Sequence, residues 1–153
     1  MHKQNKYMKI SIITITYNSA KTVQRALDSV QNQHYSDIEH IIVDGASSDG
    51  TREIVEKYAA DHKNVRYISE PDKGIYNALN KGIQMATGDV IGFLHSDDML
   101  YSSDSIGKIA ASFENESVDV VYGDLQYCHG DKVIRRWRSN AFRPLSLKFG
   151  WMP

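Results

Sequence analysis

The sequence predicts an α/β fold, a three-layer α/β/α sandwich around a mostly parallel sheet, and three observations predict it. Short β-branched runs alternate with stretches whose apolar residues recur at helical spacing. The runs show little period-two alternation, as strands covered on both faces do. Each run closes on small or polar residues of loop type, and strand-helix-strand connections of this length require parallel pairing with right-handed crossovers.

The elements follow in order. Ile10, Ile12, Ile13 and Ile15 make the first strand, ending at Thr16-Tyr17-Asn18-Ser19. Ser19 or Asn18 is placed to cap a helix with Val23, Ala26, Leu27 and Val30 on one side. Ile38, Ile41, Ile42 and Val43 form the second strand, closed by a small-residue loop from Asp44 to Thr51. The next helix turns Ile54, Val55 and Tyr58 inward, and Val65, Tyr67 and Ile68 form a third strand. Glu70-Pro71-Asp72-Lys73-Gly74 is loop, because proline and glycine interrupt both periods. A helix carrying Ile75, Ala78, Leu79, Ile83 and Ala86 leads into the strand Val90 to Leu94. A fourth helix, entered at Ser102 or Ser103, places Ile106, Ile109, Ala110 and Phe113 on one face. Val118, Val120, Val121 and Tyr122 read as a fifth strand. Leu125 to Cys128 and Lys132 to Trp137 then read as a small β-hairpin appendage turning at His129-Gly130-Asp131.

Bulk properties narrow the function classes. A chain of 153 residues suits one domain, here 9–153, preceded by a polar, flexible tail over 1–8. Lys and Arg number 18 against 19 Asp and Glu, so the near-neutral net charge of −1 argues against nucleic-acid binding through a basic surface. Cys128 is the single cysteine, which excludes an internal disulfide or a thiolate metal cage; it reads as a small packing residue in a reducing compartment. The start carries no apolar core of signal-peptide length, and no run approaches the roughly 18 apolar residues that span a bilayer. A cytoplasmic location is expected. Arg135, Arg136, Arg138, Arg143 and Lys148, interleaved with Trp137, Phe142, Phe149 and Trp151, suit phosphate groups or peripheral contact with an anionic membrane, and equally a solvated strand face with a loop.

The chemistry gathers where the fourth strand stops, at Asp97 and Asp98. Open α/β sheets bind ligands beyond the carboxyl ends of their strands, and adjacent carboxylates there repel one another until a cation satisfies them. Mg²⁺ or Mn²⁺ suits such a pair, with water and diphosphate oxygens completing the shell. Taken alone, the pair fits a solvent-facing helix cap equally well. The loops holding Thr16, Tyr17 and Asn18, and then Asp44, emerge on the same sheet edge. Together they offer an aromatic face, an acceptor for a base or ribose and a metal-binding pair, which suits a nucleoside diphosphate. Neither a dinucleotide glycine motif nor a P-loop is present, so diphosphate charge falls to the metal and to side chains such as Lys73 or Lys81.

These segments resemble the family 2 glycosyltransferases of GT-A fold, from about Lys9 to the last residue. Ser11 to Asn18 is similar to that family's opening strand and nucleotide loop. Ile41 to Thr51 resembles its second motif, with Gly45 and Ala46 standing where Asp and Gly are common, and Asp44 at the position expected to bond the base. Glu70 to Gly82 resembles the block lining the donor site, which includes Lys73, Asn80 and Lys81, although Asn77 replaces an acid often found there. His95-Ser96-Asp97-Asp98 resembles the Asp-x-Asp motif, which implies ribose contact for Asp97 and metal binding for Asp98.

The resemblance implies transfer of a sugar from a UDP- or GDP-linked donor to a saccharide or lipid-linked hydroxyl acceptor, with inversion, in bacterial cell-surface polysaccharide synthesis at the inner face of the membrane. Inversion requires a carboxylate to take the acceptor proton. In this family that base lies beyond the second acidic motif, and Phe149 to Pro153 is similar to the approach to it, so the base is expected to be missing and the domain truncated before its acceptor-side segment. Asp124, Asp104 and Asp131 remain weak candidates, each with an easy role in a turn or cap. A non-catalytic nucleotide or metal sensor using the same pocket is the alternative.

Overall fold

The computed structural model describes residues 8–115, 117–130 and 132–139. The chain gathers into two compact units, one ending at Ala111 and one starting at Ser112, where the sequence reads as one domain over 9–153.

In the first unit, β1 (Ile10–Thr16), β2 (Ile38–Asp44), β3 (Val65–Ser69) and β4 (Val90–Phe93) form one parallel sheet in the order β3-β2-β1-β4. All seven residues of both β1 and β2 are buried, including the polar Ser11, Thr14, Glu39 and His40. That explains the unbroken β-branched runs, since central parallel strands are covered on both faces.

Helices α1 (Val23–Gln31), α2 (Thr51–Asp61), α3 (Ile75–Met85) and α4 (Ser105–Ser112) supply the covers. Successive strand side chains point to opposite faces. Ile13, Ile15, Ile41 and Val43 therefore pack with Ala78 of α3 on one side. On the other, Ile12 packs with Val30 of α1 and Ile106 of α4, and Ile42 packs with Leu27 of α1 and Val55 of α2. Burying each such aliphatic side chain stabilises the fold by roughly 1.5–3 kcal/mol. Gly82 brings α3 close to β1, for a Cβ there would lie 2.5 Å from Ile13 Cγ2.

Three local expectations are corrected. Helix α1 starts after Thr22, whose hydroxyl and N–H both donate to the Ser19 carbonyl, so neither Ser19 nor Asn18 caps it with a side chain. Asn18 is drawn away to the Asp44 loop, where its Oδ1 accepts the Ser48 N–H. Met8, counted with the tail, is tied by its carbonyl to the Tyr35 hydroxyl at 2.6 Å. The run Val118 to Tyr122 is not a strand: Val118 N–H turns back to the Asn115 carbonyl at 3.0 Å, and Val120 is 73% exposed. Branching at Cβ favours extended backbone, but a strand needs a neighbour to ladder with.

In the second unit, β5 (Leu125–His129) and β6 (Lys132–Trp137) pair antiparallel, with an irregularity between Tyr127 and Cys128. Gly130 supplies a positive φ of 57° in their turn. Arg135 lies over the rings of Tyr127 and Trp137, at 5.8 and 5.3 Å. Cys128 is exposed on β5 instead of packed. Residues 1–7 of the tail, Asp131, and Phe142, Arg143, Lys148, Phe149 and Trp151 of the basic aromatic stretch lie outside the described residues.

Candidate functional site

The carboxyl ends of β1, β2 and β4 come together because parallel pairing points all four strands the same way. An open cleft of about 490 Å³ lies there, lined by Ile15, Thr16, Tyr17, Ser19, Asp72, Ile75, Ala78, His95, Ser96 and Asp97. Its size falls within the range of small-molecule sites.

Two loops are laced together to make one wall. Asp44 is fully buried at the end of β2, where its carboxylate accepts the Ser47 N–H at 3.0 Å, the Ser47 hydroxyl at 2.5 Å and the Ser69 hydroxyl at 2.6 Å. Ser47 Oγ in turn accepts the Asn18 N–H at 2.8 Å, and the Gly45 N–H reaches the Thr16 carbonyl at 2.9 Å. Lower in the same wall, Asp49 accepts from the Ala20 N–H and from the Thr51 N–H and hydroxyl. The Thr51 hydroxyl and the Ala20 and Thr51 amides hold the Asp49 carboxyl below its usual range, so it stays an anion that ties the loops. Asn18 and Ala46 both adopt positive φ, 49° and 61°, to fit this arrangement.

The opposite rim carries the acid pair. Asp98 N–H closes a turn onto the His95 carbonyl, and Ser96 donates to Ser19 Oγ at 2.9 Å, fixing the β4 end to the β1 loop. Neither Asp97 nor Asp98 caps α4, which begins only at Ser105. Partial burial first, and then the charge of Asp97, raise the Asp98 carboxyl above its ordinary value, while His95 pulls the other way. That is the repulsion a cation relieves.

Thr16, Tyr17 and Asp97 thus meet in one cleft, with Asp98, the next residue in the chain, beside them. Asn18 stands at the rim as a loop tie. Asp44 does not line the cleft; both its oxygens are engaged beneath the loop. Lys73 and Asn80 are exposed and outside the lining, and the Lys81 ammonium is held by Glu70 at 2.9 Å and the Pro71 carbonyl at 3.1 Å. Asp124 sits in the second unit, accepting the Ser139 N–H and hydroxyl at 2.9 Å each, which hold its carboxyl low. Asp104 pairs with His34 at 2.9 Å. Within the blocks that the resemblance marks out, sequence reasoning singled out neither Asp72 and Ile75 nor His95 and Ser96 as wall residues, and it read Ser19 only as a helix cap. Asp72 carried one usable signal, an acid in a proline-glycine loop at the exit of a strand.

Residues 11–152 match the family described as glycosyl transferase family 2. The chain belongs to that family.

Curated family members include a PGL/p-HBAD biosynthesis glycosyltransferase of Mycobacterium bovis, 39% identical over 117 residues that make up 75% of this chain and 46% of the relative. A glycosyltransferase of Nostoc is 36% identical over 83% of this chain and 40% of its own. The family 2 chain described here therefore spans less than half the length of these relatives. Among solved structures, the mannosyltransferase PcManGT from Pyrobaculum calidifontis, in complex with GDP-Man and Mn²⁺, superposes with a TM-score of 0.65 at 26% identity, covering 78% of this chain and 35% of that one. TarS 1-349 of S. aureus, in complex with UDP-GlcNAc, superposes with a TM-score of 0.63 at 33% identity, covering 71% and 32%. The first unit thus has the GT-A fold of nucleotide-sugar transferases.

The donor set fits a hard divalent cation. The Asp97 and Asp98 carboxylates are adjacent, and no hydrogen bond or ion pair among the described residues occupies them. No group of three His, Cys, Asp or Glu able to hold a metal occurs among the described residues. A bound cation would complete its shell with water and diphosphate oxygens.

Proposed function

We propose that this chain is the donor-binding part of an inverting glycosyltransferase, which passes a sugar from a nucleoside diphosphate to a hydroxyl of a saccharide or lipid-linked acceptor. The observation that carries this reading is the meeting of Tyr17, Thr16 and Asp97 in one cleft on a family 2 fold, with Asp98 at its edge. Asp98, assisted by Asp97, would hold Mn²⁺ or Mg²⁺, whose charge offsets that of the departing diphosphate. The exposed Tyr17 ring offers a stacking face, and Thr16 supports it: its Oγ1 is buried without a partner among the described residues, a donor in reserve at the cleft wall.

Lys73 and Asn80 remain solvent-facing groups that a bound diphosphate can recruit, whereas Lys81 must first leave Glu70. Asp124 is poorly suited to act as the base, because a carboxylate already accepting two bonds from Ser139 is weakly basic. The curated relative's name, a PGL/p-HBAD biosynthesis glycosyltransferase, supports a biosynthetic role, which we assign to bacterial cell-surface polysaccharide synthesis. No helix among the described residues is long and apolar enough to cross a membrane. Separately, the basic residues Arg135, Arg136 and Arg138 beside Trp137 support our placing the reaction on the cytoplasmic side, with peripheral contact at the inner face of the membrane.

Calorimetry tests the reading. UDP or GDP should bind in the presence of Mn²⁺ and lose at least tenfold in affinity on chelation or in Asp98→Ala. Equal affinity in wild type and variant refutes the metal assignment.

A further inference from the structure

Asp72 occupies a position that the cleft's other acids do not. It leaves the exit of β3 and lines the cleft, with Oδ1 fixed by the Gly74 N–H at 2.7 Å. No hydrogen bond or ion pair among the described residues reaches Oδ2. A carboxylate held by one oxygen, with lone pairs left over and no ion pair among the described residues, is an acceptor waiting for N–H or O–H donors.

Gly45 explains how the carboxylate comes to be there. A Cβ on Gly45 would lie 2.8 Å from Asp72 Oδ2 and 3.2 Å from Tyr17 Cδ2. Yet Gly45 is not among the glycines with positive φ, so its backbone does not demand glycine. What the position requires is space. The missing side chain lets the Asp72 carboxylate and the Tyr17 ring approach the same point, the ring 65% exposed and available for stacking. Asp44, at the end of β2, is buried and has both its oxygens hydrogen bonded below.

We propose that Asp72 is the base-reading residue of this cleft and that it selects guanine over uracil, so the donor is a guanosine-diphosphate sugar. The inference rests on the nucleotide-sugar reading above and deepens it. Guanine presents two neighbouring donors, N1–H and the N2 amino group, which a carboxylate accepts side by side. Uracil presents one N–H between two carbonyl oxygens, and a carboxylate opposite that edge meets one good contact and two repulsions. A charged bidentate contact of this kind discriminates between bases by roughly ten- to a hundredfold.

The test titrates GDP and UDP separately into the full 153-residue chain with saturating Mn²⁺, then repeats both on Asp72→Asn. Wild type is expected to bind GDP at least tenfold more tightly. Asparagine replaces one acceptor with an N–H donor, so it opposes guanine and suits the N3–H and O4 of uracil; the variant should narrow or invert the preference. Circular dichroism checks that it remains folded, and Asp72→Ala gives a second reading, in which the preference shrinks without inverting. UDP binding as tightly as GDP to wild type overturns the guanine assignment and leaves the transferase reading standing. An equal loss for both nucleotides in Asp72→Asn places the carboxylate on ribose or sugar and overturns it as well. If neither nucleotide binds, both readings fall.

Discussion

Asp44 and Ser69 are register partners at the carboxyl ends of β2 and β3, and the Ser69 hydroxyl donates to Asp44 Oδ2 at 2.6 Å. Their bond ties the wall of the cleft together, since the same carboxylate holds Ser47, which holds Asn18. A buried acid with this many donors is a structural anion, and removing it strands the donors.

Asp44→Ala is accordingly expected to destabilise the protein by about 2–4 kcal/mol, and Ser69→Ala by about 1 kcal/mol. Urea denaturation of the singles and the double should show coupling, because both changes break one bond. Strict additivity contradicts the assignment.

Ala46 holds a left-handed backbone, φ 61°, in the same loop. An L-residue there costs roughly 1 kcal/mol, so Ala46→Gly is expected to raise stability by about 0.5–1 kcal/mol despite glycine's greater unfolded-state freedom. A fall in the denaturation midpoint would show the strain to be absent.

Gly82 and Gly107 both lie in helices but should respond in opposite ways. A methyl at Gly82 meets Ile13 Cγ2 at 2.5 Å, so Gly82→Ala is expected to cost about 1–3 kcal/mol by overpacking. Gly107, in α4, has nothing within 4 Å of its would-be Cβ, and Gly107→Ala should gain about 0.5–1 kcal/mol from helix propensity. Thermal unfolding of the two variants side by side checks the pair.

His40 sets the pH dependence. It is buried, with Nε2 3.0 Å from Thr14 Oγ1 and Nδ1 3.3 Å from the Tyr58 oxygen, whose hydroxyl donates to the Leu27 carbonyl at 3.1 Å. A neutral ring donating from Nδ1 satisfies every partner. Burial, then the charge of His62, push its pKa from 6.5 down to about 3. The unfolded chain therefore binds the extra proton first, so the contribution is complete above 6.5 and is lost as pH falls toward about 3. Glu39 follows lower down: burial opposes ionisation, but Ser11, Thr87 and Lys9 outweigh it and bring the carboxyl from 4.5 to about 2. Stability should fall by on the order of 1 kcal/mol per pH unit between pH 6 and about 5.5, above the range in which Glu39 titrates in the unfolded chain, and His40→Gln should flatten that part of the curve. A wild-type midpoint unchanged from pH 7 to 4.5 contradicts this.

The sequence by itself determined the four strands and four helices of the first unit, the hairpin after Asp124, and the placing of Thr16, Tyr17 and Asp97 beyond one edge of the sheet. Those features are written in local periodicity and in the rule that parallel strands end together, which need no knowledge of neighbours. Tertiary structure alone decided which polar groups are free. Asp44 and Asp72 look alike as loop acids after strands, yet Ser69, brought across from β3, helps bury one, while the empty space at Gly45 leaves the other facing the cleft. Lys81 was readable as a phosphate contact until the fold set Glu70 beside it, and Val118 to Tyr122 was readable as a strand until no ladder formed there. Periodicity tells which way a side chain points. Whether its polar atoms are already satisfied depends on residues distant in sequence, and that decides what remains for a ligand.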